Sequence, residues 1–272
     1  MGKRSKRKAA KRKLEKQNNK KARLKYFEKA PSFKDNFNND VSTHQLIFPI
    51  IRKISEQQFV TVGTGFFIHP AGGFVTAKHC LYLRDAYDDK CYAIHSIQGG
   101  HRFIRKIQYF EAHPIADIGV GMLRGNINDS KTHETILCPS FPIADKTVQI
   151  EDSIFTLAYP RMRINRNQVG TFPVDKFSGK IKEYFPNGTA WLKDKCFLTN
   201  MHILSMASGG PVLRENKIIG VNSTAMELHH DEEPISFITP ISKIYDLTLK
   251  DSDGKEVKVQ DLMNEGHMPK AK

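Results

Sequence analysis

From residue 45 onward the chain alternates short runs rich in Val, Ile, Phe and Thr with breaks of Gly, Pro, Asn and Asp, a texture that predicts antiparallel strands. The runs fall at 45–54, 58–68, 73–77, 91–98, 102–110 and 118–123, and again at 153–159, 171–184, 191–199, 211–214, 217–224 and 235–239. Many short strands at near-regular spacing, without long intervening helices, favour a sandwich or barrels over a parallel sheet. Two groups of six fit an all-β protein of two six-stranded antiparallel β-barrels, parted within 125–152, a polar stretch containing Asn126, Asn128, Asp129, Pro139 and Pro142. Beyond Pro240, the spacing of Ile241, Ile244 and Leu247 predicts a short terminal helix near 241–249. The expected organisation is a basic tail and linker over 1–40, barrels over 41–150 and 151–248, and an extension over 249–272. Trp191 is expected in the core or at a barrel rim, and no internal sequence repeat is found.

Charge changes this picture at one end only. Of the formal +13, residues 1–30 carry +12, from 14 Lys and Arg against Glu15 and Glu28, so the body is close to neutral. Blocks such as Lys6-Arg7-Lys8 and Lys11-Arg12-Lys13 repel themselves, so the tail is expected to be disordered and able to bind nucleic acid without sequence preference. The segment Pro31 to Asp40, rich in Asn, Asp and Lys, reads as linker. No run approaches the roughly 18 apolar residues of a membrane span. The basic start is not followed by the apolar stretch of a secretory signal. Cys80, Cys91, Cys138 and Cys196 share no paired spacing and are too sparse for a disulfide scaffold, so a reducing, cytoplasmic setting is expected.

Chemistry gathers in three segments. Ser208-Gly209-Gly210-Pro211 precedes a strand, and adjacent glycines permit the tight turn that projects a nucleophilic hydroxyl beside converging backbone N–H groups. Upstream, Gly63-Thr64-Gly65-Phe66 leads to Thr76-Ala77-Lys78-His79-Cys80, and Asp117 stands in Asp117-Ile118-Gly119-Val120. The chain order His79, Asp117, Ser208 is that of trypsin-like serine proteases, and across these motifs the sequence resembles that family from about residue 45 to 247. Lys217-Ile218-Ile219-Gly220-Val221 and Phe237-Ile238-Thr239-Pro240-Ile241 look most like the bacterial and organellar heat-shock members. The roughly 25 residues after 247 are too few for an appended PDZ-like module.

The resemblance implies a serine endopeptidase acting on protein or peptide through an acyl-enzyme, with no cofactor. Ser208 would be nucleophile, His79 general base and acid, and Asp117 the group that fixes the imidazole tautomer. The N–H groups of Met206 and Ser208 would form the oxyanion hole, where Met206 replaces the family's usual Gly and would be strained if positive φ is needed. Cys80 lacks an earlier cysteine to bridge, and Ala207 occupies the place of the Asp that pairs with a new N-terminus in zymogens. Activation through a newly freed N-terminus is therefore not expected. A pocket of His202, Asn222, Ser223, Thr224 and Ala225 lacks the carboxylate that would select Lys or Arg, so preference for an uncharged residue before the scissile bond is expected. The alternative is a nucleic-acid-binding protein on a protease-like scaffold of little activity. His79, Cys80, Cys91 and His95 match no familiar metal spacing, and His229-His230-Asp231-Glu232-Glu233 reads as a solvated hairpin tip, so no metal site is assigned.

Overall fold

The computed structural model describes residues 31–35, 37–56, 58–83, 86–125, 127–128, 135–144, 148–164, 170–226, 234–250 and 254–264. The basic tail and the His229–Glu233 cluster lie outside these described residues. Among them are twelve long strands that close into two barrels. The first comprises β1 (Ile47–Ser55), β2 (Gln58–His69), β3 (Gly73–Thr76), β4 (Cys91–Ser96), β5 (Arg102–Ala112) and β6 (Gly119–Leu123). The second comprises β7 (Ser153–Ala158), β8 (Asp175–Phe185), β9 (Cys196–Thr199), β10 (Pro211–Arg214), β11 (Lys217–Met226) and β12 (Ile235–Pro240). All pairs are antiparallel. Around the first barrel the order is β1-β2-β3-β6-β5-β4, and around the second β7-β8-β9-β12-β11-β10. Both barrels therefore follow one path, although their sequences do not repeat.

The barrels close because the inward set of their strands is apolar, while much of the outward set is buried as well. Phe48, Ile50, Phe67, Phe74, Ile107 and Phe110 fill the first barrel, and Ile154, Ile181, Val212, Ile219 and Ile238 the second. A larger cluster joins the two. It includes Leu46, Ile47, Phe66 and Val75 from one side and Leu157, Tyr159, Leu213 and Val221 from the other. Tyr159 crosses the seam: its N–H donates to Thr64 Oγ1 at 2.9 Å, and its hydroxyl contacts the Ile47 carbonyl at 3.3 Å and His44 Nδ1 at 2.8 Å. Burial pushes the His44 pKa down to about 4, with Arg102 acting in the same direction, so this histidine is a neutral packing group.

Two expectations from sequence need correction. The segment 31–40 is not a bare linker: Ser32–Lys34 pairs with Asp40–Ser42. Asp35 closes that hairpin by accepting the N–H groups of Phe37 and Asn39 at 2.9 and 2.7 Å, while Phe33 packs on Phe141 and Phe155. Polar composition hid a turn built by one aspartate. The helix expected over 241–249 is only a 3-10 turn, Ile241–Ile244. Residues spaced three apart suit that tighter winding, and Thr248–Lys250 instead pairs with Glu256–Lys258 before the C-terminal helix Val259–Asn264. Of the two places expected for Trp191, the core is excluded and the barrel rim fits, since it is 61% exposed on the β8–β9 connection. Among the described residues no helix is long and apolar enough to cross a membrane.

Candidate active site

The pairing of β3 with β6 sets Thr76 opposite Gly119, so the chain leaving β3 and the chain entering β6 meet at one barrel end. His79 lies on the first of these, within the helical turn Lys78–Leu81, and Asp117 on the second. His79 Nδ1 is 2.8 Å from Asp117 Oδ2 and 3.1 Å from Oδ1, and the His79 backbone N–H donates to Oδ1 at 3.1 Å. The carboxylate thus fixes ring and backbone together, holding the ring through Nδ1. Partial burial works to lower the His79 pKa, but the hydrogen-bonded Asp117 carboxylate and Cys80 outweigh it, and the net displacement is well upward.

The loop before β10 brings Ser208 to this place from the other barrel. Gly209 has φ +83°, and a side chain there would stand 2.1 Å from Thr76 Oγ1, so only glycine fits where the loop lies against the first barrel. The Ser208 carbonyl accepts the Thr64 N–H at 2.8 Å and faces the Cys80 sulfur at 3.6 Å. Gly63 is bare for the same reason, since a Cβ would meet that sulfur at 2.4 Å. On the opposite side β11 clamps the loop through Asn222. Its carbonyl accepts the Gly209 N–H at 2.8 Å, its N–H donates to Gly210 at 3.0 Å, and its buried amide reaches Thr156 Oγ1 at 2.6 Å and the Ala207 carbonyl at 3.5 Å.

This bonding leaves two donors over. The N–H groups of Ala207, Gly209 and Gly210 are paired within the protein, but among the described residues no acceptor meets those of Met206 or Ser208. Met206 holds φ +69° with a half-exposed side chain. The Ser208 hydroxyl donates to the Ser223 carbonyl at 3.3 Å, and Ser223 Oγ lies 2.6 Å from Thr239 Oγ1 and 3.5 Å from the Asp117 carbonyl. Of the other residues expected in a specificity pocket, His202 and Ala225 are exposed, Thr224 is half-buried, and Asn222 and Ser223 are turned into the structure by these bonds.

The sequence matches the Trypsin family over residues 11–248. The chain is a member of the trypsin family. Its fold is shared with the solved structure of Deg5. Deg5 superposes with a TM-score of 0.51 at 19% identity, covering 74% of this chain and 86% of that one. The active form of the Rv3671c protease from M. tuberculosis gives 0.49 at 16% identity over 74% and 78% of the two chains. The HtrA-type protease AlgW with decapeptide gives 0.49 at 14% over 73% and 62%. A comparison with curated proteins finds no match.

Several contributors to the site were not signalled by the trypsin-family motifs. Asn222 was expected in a pocket rather than on the loop it clamps, and Tyr159 carried no distinguishing spacing. The cysteines pack separately. Cys80 faces Ser208, Cys91 Sγ lies 3.9 Å from Asp88, and His95 Nδ1 meets buried Arg105 at 3.2 Å, with burial and Arg105 pushing its pKa down to about 3. Among the described residues no group of three or more His, Cys, Asp or Glu is arranged to hold a metal ion.

Proposed function

We propose that this chain is a serine endopeptidase that hydrolyses protein or peptide substrates through a Ser208–His79–Asp117 triad. The observation that carries this reading is the pairing of an Asp117-oriented imidazole, at 2.8 Å, with a serine loop that has two unpaired N–H groups. In this mechanism the Ser208 hydroxyl leaves the Ser223 carbonyl, gives its proton to His79 Nε2 and attacks the scissile carbonyl carbon. The oxygen of that carbonyl takes the negative charge and is met by the N–H groups of Met206 and Ser208. His79 then protonates the departing amine, and the acyl-Ser208 ester is hydrolysed by water with His79 again as base. Substrate preference is for an uncharged residue on the N-terminal side of the bond, since the half-buried Thr224 and exposed Ala225 offer no carboxylate to a basic side chain.

The deciding experiment joins a serine-directed fluorophosphonate probe with cleavage of an unbiased peptide library. Wild type should label at Ser208 and cleave; Ser208→Ala and His79→Ala should each lose at least about 10³-fold in kcat with folding retained. Unchanged hydrolysis by purified Ser208→Ala would sink the mechanism, and efficient cleavage after Lys or Arg would sink the specificity.

A further inference from the structure

The arc that carries Asp117 is closed by a side chain that is itself titratable. His113 ends the chain leaving β5, and its Nδ1 accepts the N–H groups of Ala116 at 2.8 Å and Ile115 at 3.2 Å. Two N–H groups pointing at one ring nitrogen require that nitrogen to be unprotonated, so here the ring is neutral with its proton on Nε2. The His113 N–H donates to the Ile118 carbonyl at 2.9 Å, and the ring bonds close the short arc 113–118 around Asp117. Lys78, the residue before the histidine of the triad, donates to the His113 and Pro114 carbonyls at 3.4 Å each, so the same arc is tied to the turn that carries His79. Across the seam, the Asp194 carboxylate lies 4.0 Å from His113 Nδ1 and is ion-paired to Lys243 at 2.5 Å.

We infer that His113 is a positioning residue for Asp117: its neutral ring fixes the carboxylate against His79, and protonation of the ring releases it. The inference rests on the peptidase reading above. A protonated Nδ1 cannot accept from Ala116 and Ile115, and its new N–H would instead find Asp194. The ionic groups around the ring come from every packed element. Lys243 from the 3-10 turn and Lys78 from the helical turn oppose protonation, whereas Asp194 and Asp246 favour it. Burial opposes it most strongly, and the balance keeps the His113 pKa below its ordinary value. The clamp is therefore intact at neutral pH and opens on acidification, on the far side of neutrality from the titration of His79.

Asparagine provides the test, because its Oδ1 occupies the place of Nδ1 and accepts hydrogen bonds without titrating in this range. His113→Ala should lower kcat by about tenfold to hundredfold with little change in KM, as expected when a catalytic group is mispositioned. His113→Asn should keep most of the activity. In wild type the slope of log kcat/KM against pH should steepen from one to two at low pH as the second proton binds, and in His113→Asn it should stay at one. Nuclear magnetic resonance supplies readouts that need no turnover. The Ala116 amide signal should titrate with His113 in wild type, and the His79 pKa should fall in His113→Ala but not in His113→Asn. Equal loss in the Ala and Asn variants, no loss in either, or an Ala116 amide that does not titrate would overturn the inference. Wild-type protein without hydrolysis but with the expected resonance shifts would overturn the peptidase reading and leave the clamp on Asp117 standing.

Discussion

Met206 shows what a single side chain costs at a place where the fold demands positive φ. A residue with a Cβ in the left-handed region loses about 1 kcal/mol relative to one without, and Met206 holds φ +69° beside the donors of the proposed oxyanion hole. Met206→Gly should therefore raise the melting temperature slightly and leave kcat equal or higher, as checked by thermal unfolding and peptide hydrolysis. A large fall in kcat with the fold kept would give the thioether a positive role. The strain was foreseeable from sequence, because a Ser-Gly-Gly turn with Met two residues earlier conflicts with the glycine usual in the family. The second residue-scale prediction concerns acidity. Since the base must be neutral and the Asp117 carboxylate outweighs burial, kcat/KM should rise with pH through an inflection above the ordinary 6.5 of histidine. Asp117→Asn should move that inflection downward and reduce the plateau; an unmoved inflection would show that Asp117 does not govern His79.

At the scale of elements, legibility tracked burial. Strands whose inward residues are apolar were visible to within a few residues, as with 58–68 against Gln58–His69 and 211–214 against Pro211–Arg214. Elements whose stability comes from a polar turn or a tertiary contact were not. The hairpin of Ser32–Lys34 with Asp40–Ser42 has too few apolar positions to show a period, and its seat depends on Phe33 meeting Phe141 and Phe155, over a hundred residues away. The residues of the proposed triad could be read from motifs because each lies within three residues of a strand that has a sequence signature. The clamps through Asn222 and His113 could not, since a hydrogen bond between distant segments leaves no local pattern. The hairpin yields a test: a chain starting at Thr43 loses Phe33 and the Thr43 hydroxyl bond to the Pro31 carbonyl at 2.6 Å. It should be less stable than one starting at Pro31 by on the order of 2 kcal/mol, a fall of roughly 5 °C in melting temperature. Equal melting temperatures would show that the hairpin is only laid on the surface.

For the whole molecule, both barrels take one strand path while sharing no sequence repeat, so closure depends on which faces are apolar and not on which residues supply them. The site inherits its geometry from how the barrels dock. His79 and Asp117 come from the first, Ser208 and the N–H groups of Met206 and Ser208 from the second, and between them stand the Thr64–Ser208 bond, Gly209 against Thr76, and Tyr159. The C-terminal segment returns across the same seam, where the Thr248 N–H donates to Glu111 at 2.8 Å and buried Leu249 and Val259 join the shared cluster.

An assembly of this kind can lose its chemistry without losing its fold. Slight sliding of one barrel on the other would break a few hydrogen bonds and leave both apolar interiors dry, a sub-global opening that needs less free energy than unfolding. Titration with urea should accordingly extinguish peptide hydrolysis at a lower midpoint than it abolishes the far-ultraviolet circular dichroism of the strands. Coincident midpoints would mean that the two barrels and their junction melt as one cooperative unit. Where hydrolysis fails first, the resistance of this protein to inactivation is a property of the joint, to be raised by mutations along Thr64, Tyr159 and Glu111 more than by any repacking of either barrel.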